Sequence, residues 1–248
     1  GYGDTFLFCR YLNEIKKYFK HTIFVAQKNL SSLMKNSFPD IEVYSDTEFE
    51  KKRNKIKFDY HIPTMSICGV LKIRPTEYYN NVCWLKADKN KIKEFSKYFS
   101  KDKFNIGIFW ESTKSLNQRY TDIETLLPLG NIKNVQLYSL VINKEDFEIN
   151  YLENSPKVVN LGKKFKTFSD TAGAIENCDL IVATDSSVMN LAGAMGKKTF
   201  GLFSENSEWR WYTLDGEDVG WYKTIKPFCS KHKNDFSMSI AELNKFKM

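Results

Sequence analysis

The sequence predicts an α/β protein made of two successive sets of strands and helices. Three observations carry this. Short β-rich runs alternate with segments of helical spacing through most of the 248 residues. The alternation restarts at Asn105 after a charged segment. The run "DLIVATD" is near-continuously apolar, as a strand buried on both faces of a parallel sheet should be.

The elements follow in order. "DTFLFCRYLNEIKKYFK" sets Phe8, Tyr11, Leu12, Ile15 and Phe19 at helical spacing, with Asp4 or Thr5 as cap. "HTIFVAQ" reads as a buried strand, "NLSSLMKNSF" as a short helix, and "IEVYS" and "FDYHIPT" as strands. A loop-rich passage holds Pro63, Gly69 and Pro75. Residues 88–102 form a charged amphipathic helix, a connector to the second set. There "NIGIFWES" is a strand and "TDIETLLPLG" a helix, capped by Thr121 and closed by Gly130. "NVQLYSLV" and "KVVNLG" are strands, and "FSDTAGAIENC" is a helix starting at Ser169 or Asp170. "DLIVATD" is a strand, "SVMNLAGAMG" a helix, "KTFGLFS" a strand, and "FSMSIAELNKF" a final helix. The expected domains are residues 1–100 and 101–248. Two such lobes leave a cleft at the carboxyl ends of their strands, where open α/β sheets bind ligands.

Composition narrows the classes of function. The formal charge is +7, from 37 basic and 30 acidic residues. The lysines are dispersed, which fits a solvated surface and equally a basic cleft for anionic ligands. No zinc-finger, homeodomain or RRM signature is present, so no nucleic-acid partner is expected. Cys9, Cys68, Cys83, Cys178 and Cys229 include no C-x-x-C pair, and predict reduced, mostly buried thiols in a cytoplasmic protein. His21, His61 and His232 are far apart, and no metal site is expected. The chain lacks an apolar run long enough to span a membrane and lacks a signal-peptide pattern.

Four stretches could carry chemistry. "GYGDT" places two glycines before a helix, either as a plain capped entry or as an amide-lined turn with Asp4 as a general base. After "NIGIFW" come Ser112, Thr113, Lys114, Ser115, Asn117, Gln118 and Arg119, either a solvated loop or a diphosphate-binding one with an Arg fork. "TDSSVMNLAGAMG" puts Asp185 at a strand's carboxyl end, with Ser186 or Ser187 capping the next helix. That helix, rich in Ala and Gly, is thin enough for close approach to a sheet or a ligand. Trp209, Trp211, Tyr212, Trp221 and Tyr222 form either a core cluster or a wall for a base or sugar.

Three pieces in this order resemble one family: "GYGDTFLFCRYL", "IGIFWES…NQRYTDI" and "DTAGAIENCDLIVATDSSVMNLAGAMGKKTFGLFSENSEWRWY…GWY". The chain is similar to the glycosyltransferase family that includes the ADP-heptose:lipopolysaccharide heptosyltransferases. It looks most like the branch often found behind tetratricopeptide repeats. The resemblance implies a GT-B fold, two Rossmann-like lobes facing an interlobe cleft, with the donor held mainly by residues 101–248 and the acceptor by residues 1–100. The final helix would pack back on the first lobe. It implies inverting, metal-independent transfer from an ADP- or UDP-linked sugar, with no cofactor. The acceptor would be a hydroxyl of a glycan, a lipopolysaccharide or a protein, with at most peripheral membrane contact. Asp4 matches the catalytic base. Asp185 matches the acid facing the donor sugar, and the Ser186 and Ser187 amides match those at the diphosphate. Arg119, with Ser112 and Thr113, falls in the phosphate-side loop, and Trp209 and Trp211 in the wall. Asn190 stands where the family usually has His, and Thr121 where the branch often has a second Arg. The strand that usually precedes "GYGDT", and any upstream repeats, are expected before Gly1. The competing expectation is a degenerate, non-catalytic GT-B module that binds a nucleotide or a protein partner.

Overall fold

A computed structural model describes residues 1–74, 83–111, 121–142, 152, 155–204, 211, 220–230 and 236. The first lobe contains helices α1 (Tyr2–Phe8) and α2 (Leu12–Ile15), strand β1 (Ile23–Ala26), α3 (Ser31–Ser37), β2 (Glu42–Ser45), α4 (Asp46–Lys52) and α5 (Ile67–Val70). Helix α6 (Lys89–Ser96) leads into the second lobe. There follow β3 (Phe104–Phe109), α7 (Ile123–Leu126), β4 (Val135–Ser139), β5 (Val158–Asn160), α8 (Phe168–Glu176), β6 (Leu180–Thr184), α9 (Ser187–Ala194), β7 (Thr199–Phe203) and β8 (Ile225–Cys229).

Among the described residues, β1 and β2 pair in parallel in a two-stranded sheet. The second sheet has six parallel strands in the order β5-β4-β3-β6-β7-β8. From β3 the chain winds outward to β4 and β5 on one side. It then crosses back to β6 on the other side and continues to β7 and β8. The order therefore reverses between β3 and β6, which pair with Phe109 opposite Ala183. This is the topological switch point, where open parallel sheets bind ligands.

Several elements depart from the sequence reading. "FDYHIPT" forms no strand: Phe58 and Tyr60 are 55% and 78% exposed. Its alternating side chains need a neighbouring strand to be buried, and among the described residues β1 pairs only with β2. β1 itself is half-buried, with Val25 facing outward. Helix α4 was unexpected, although its capping box is written in the sequence: Ser45 Oγ accepts from the Glu48 amide at 3.1 Å, and Glu48 Oε2 accepts from the Ser45 amide at 2.9 Å. Helix α6 stops at Ser96 rather than near 102, and Phe99 goes on to stack against Tyr138 at 4.2 Å. Helix α7 is capped at Asp122, not Thr121. It tightens into a 3-10 turn over Leu127–Asn131, where Pro128 enters and which includes Gly130. Helix α8 is capped by Thr167, and Asp170 is the third residue of its capping box. Strand β8 was not read from the sequence, and it contains Pro227. Pro is tolerated at a sheet edge, and β8 is the edge. The expected final helix lies outside the described residues apart from Phe236, which is buried.

The core lies on both faces of the six-stranded sheet. Ile108, Leu137, Val182 and Leu202 pack on one face. Ile181, Ala183 and Leu191 pack on the other, in a cluster that runs unbroken into Phe6, Leu7, Leu33 and Met34 of the first lobe.

Candidate functional site

The site is built at the carboxyl ends of β3 and β6. Beyond β3 comes Glu111, and beyond β6 comes Asp185. The two strand ends are tied by Thr184 Oγ1 donating to the Glu111 carbonyl at 2.9 Å. Asp185 is 5% exposed. Ser186 then caps α9, its Oγ accepting from the Met189 amide at 3.2 Å. The amides of Ser187 and Val188 sit in the first turn, where an α-helix offers no intrahelical acceptor. That end of α9 is a positive dipole terminus beside the switch point.

Helix α1 packs across α9, and the contact is very close. A Cβ added at Gly3 would lie 3.1 Å from Asn190 Nδ2. Gly3 is therefore a helical residue chosen for close approach, not the tight turn expected of "GYG". Asp4 is likewise inside the helix. It is the third residue of the first turn, and its Oδ2 accepts from the Gly1 nitrogen at 2.9 Å. Asp4 and the Asp185–Ser187 cap are thus held on two helices in direct contact.

Asn190 is 4% exposed, and protein groups engage both ends of its carboxamide. Nδ2 donates to the Ser186 carbonyl at 2.8 Å, and Oδ1 accepts from Tyr222 Oη at 2.7 Å. The Tyr222 ring stacks on Trp84, with centroids 5.6 Å apart, and faces Trp211 at 6.2 Å. Trp84 Nε1 donates to the Phe6 carbonyl of α1 at 2.8 Å. Arg10 lies 4.2 Å over the Trp84 ring and donates to the Trp221 carbonyl at 2.7 Å. The amides of Trp84 and Leu85 both donate to the Ala194 carbonyl, closing the far end of α9. A buried cation–aromatic stack thus joins α1, the segment before α6, α9 and the segment before β8.

Of the residues singled out by sequence, Asp4, Asp185, Ser186, Ser187 and Asn190 come together on α1 and α9. Trp211 is 6% exposed and packs between Phe203 and Tyr222, the core-cluster alternative for the tryptophans. Ser112, Thr113, Arg119 and Trp209 lie outside the described residues. Tyr222 was read only as part of an aromatic cluster or wall, and Glu111, Trp84 and Arg10 were not named as site residues. Glu111 was legible as the first charged residue past a buried strand. The other three meet only through the tertiary fold. Only two of the five cysteines, Cys9 and Cys178, are buried, against the expectation of mostly buried thiols. Burial pushes both of these thiols up. Among the described residues no group of three His, Cys, Asp or Glu side chains could hold a metal ion, and no helix is long and apolar enough to cross a membrane.

Two α/β lobes, with a parallel-sheet switch point in the second and a helix of the first packed against it, make the GT-B fold. Residues 140–239 match the model of Glycosyltransferase family 9 (heptosyltransferase), in agreement over that stretch with the resemblance read from the sequence. The fold is similar to that of Escherichia coli ADP-heptose lps heptosyltransferase II, with a TM-score of 0.66 at 10% identity, covering 98% of this chain and 94% of that one. It is similar to a glycosyl transferase family 9 protein of Veillonella parvula, at TM-score 0.64 and 13% identity, over 100% and 88% of the two chains. Escherichia coli heptosyltransferase WaaC, solved with ADP-2-deoxy-2-fluoro heptose, gives a TM-score of 0.62 at 8% identity, over 98% and 95%. Among curated proteins, FlbA of Caulobacter vibrioides is 21% identical over 256 residues. That match spans 93% of this chain but only 42% of FlbA.

Proposed function

We propose that the chain is a glycosyltransferase that moves a sugar from a nucleotide-diphosphate donor to an acceptor hydroxyl, with inversion and without a metal. One observation carries the reading. The sheet's switch point, the Ser186-capped terminus of α9 and the α1 helix bearing Asp4 meet in one place. In this reading the first-turn amides of α9 receive the diphosphate, Asp185 faces the sugar, and Asp4 takes the proton from the acceptor hydroxyl. Amides and the Arg119 fork would stabilise the leaving diphosphate. A heptose or similar sugar on ADP is the first donor to try, with UDP-linked sugars next, since WaaC was solved with an ADP-linked heptose analogue. A glycan, lipopolysaccharide or protein hydroxyl would accept it. A cytoplasmic setting suits five cysteines without a disulfide.

The first test is thermal. A nucleoside diphosphate at a hundred times its Kd should stabilise the fold by roughly 2.7 kcal/mol. For a chain of this size that raises the melting temperature by about 5–10 °C. No shift with any ADP-, UDP-, GDP- or CMP-linked sugar at millimolar level would sink the reading. Asp4→Asn should lower turnover by on the order of 100–10,000-fold while keeping the nucleotide shift. An active Asp4→Asn enzyme would remove Asp4 from the base role.

A second reading, a non-catalytic nucleotide-binding module, is favoured by one observation. Asn190, at the position where the family usually has His, is engaged by Ser186 and Tyr222. Nucleotide binding without donor hydrolysis or transfer would select it.

A further inference from the structure

We infer that Asn190 and Tyr222 form a positioning pair that holds Asp4 and the Ser186 cap in one fixed relation, rather than contacting the donor. The inference rests on the transferase reading for its catalytic consequence, but not for its structural one.

Three contacts lead to it. First, Asn190 reaches back one turn to the carbonyl of Ser186, the residue whose hydroxyl caps α9. The cap is therefore gripped from both of its polar groups, and its orientation is fixed. Second, Asn190 Oδ1 accepts a hydrogen bond from Tyr222 Oη. A buried carboxamide with its oxygen on a hydroxyl and its nitrogen on a carbonyl has a defined orientation, because flipping it would set its oxygen against the Ser186 carbonyl. Third, the Gly3 backbone rests on that same carboxamide. The surface on which α1 lies is thus the group that orients the cap.

Tyr222 is itself fixed from the α1 side. Its ring stacks on Trp84, which binds the Phe6 carbonyl and lies under Arg10, both from the first lobe's opening stretch. A loop then runs through named contacts: α1 to Trp84, Trp84 to Tyr222, Tyr222 to Asn190, Asn190 to Ser186 and back to Gly3. Loosening the Tyr222–Asn190 bond should free the cap and α1 together.

Tyr222→Phe removes the hydroxyl that donates to Asn190 and keeps the aromatic ring. Asn190→Asp keeps an acceptor for Tyr222 but replaces the donor to the Ser186 carbonyl with an oxygen. Asn190→Ala and the double variant Asn190→Ala/Tyr222→Phe complete a cycle. Amide hydrogen exchange is the direct readout. Tyr222→Phe should speed exchange both in residues 5–9 of α1 and its turn and in Met189–Leu191, while α8 and β6 stay protected. Unchanged exchange in α1 overturns the pairing whether or not the protein is active. In turnover assays with the nucleotide sugar, Tyr222→Phe should lower kcat by on the order of 10–100-fold with donor KM held within about twofold. The double variant should be no worse than Asn190→Ala alone. A raised donor KM at unchanged kcat would place Asn190 on the donor instead and overturn the proposal. If the wild type neither binds nucleotides nor turns over, the transferase reading fails, and the exchange experiment still decides the pair.

Discussion

Gly193 gives the thinness of α9 a packing reason. A Cβ there would lie 2.5 Å from Tyr222 Cδ1 and 2.8 Å from Ile225 Cδ1. The small residues of "LAGA" admit the Tyr222 ring against the helix. Gly193→Ala gains helix propensity of up to about 1 kcal/mol but forces the ring out of its stack. Overpacking of this kind costs about 1–3 kcal/mol, so the net effect is destabilising. Urea denaturation would check the sign, and a stabilised Gly193→Ala would show that the ring moves freely. The Ser186 cap was legible at this scale, because a Ser between a buried strand and a helix has one obvious use. The role of Gly193 was not, because its partner arrives much later in the chain, past β7. Asn190 was read as a donor ligand from its alignment with the family's His. Its carboxamide bonds the Ser186 carbonyl and the Tyr222 hydroxyl.

Helix α6 is clamped to α8 by a buried charge. Lys91 Nζ lies 2.8 Å from Asp170 Oδ1 and 2.9 Å from Glu94 Oε2. Burial alone would push the Asp170 carboxyl up. The Lys91 ammonium and the Thr167 and Lys166 amides outweigh it and hold it below the ordinary carboxylate range. A depressed folded-state value means stability that is present above the unfolded value of about 4 and is lost as pH falls through the folded one. The Lys91 ammonium is shifted upward by Asp170 and then Glu94, so its share persists below about pH 10 and fades at higher pH. Asp170→Asn should therefore cost about 2 kcal/mol at neutral pH, a value reduced because Lys91 is partly exposed. The gap to wild type should shrink below about pH 4, as melting curves against pH would show. A gap that stays constant down to pH 2 would mean the charge is not what matters. Parallel strands were the most legible elements, since doubly buried strands are written as apolar runs. Edges and partial strands were the least legible. Strand β8 was not read, and the alternation in residues 58–62 suggested a strand whose partner is not among the described residues.

The two sets of elements were visible in the sequence as a restart at Asn105, but the core does not divide where the sheets do. Side chains of α1 and α3 share one apolar cluster with α8 and α9. Ser32 Oγ on α3 lies 2.7 Å from Ser169 Oγ on α8, so the seam is polar-bonded as well as packed. Periodicity reports which face of an element is apolar, not which lobe covers it, so this sharing could not be read in advance. It predicts a single cooperative unfolding transition for the chain by calorimetry, with calorimetric and van't Hoff enthalpies in agreement. Two resolved transitions would show the lobes to be independent.

The Trp84 stack also has a practical consequence for protein engineering. A chimaera that exchanges the second lobe between relatives by cutting near residue 100 would leave Trp84 and Arg10 with the recipient. It would import Tyr222, Trp221 and the Ala194 carbonyl with the new lobe. Such a hybrid would inherit a half-built seam. A swap of ligand specificity on this scaffold should move residues 1–11 and 83–88 together with the second lobe, or leave the lobe in place and replace only the loops at the ends of β3 and β6.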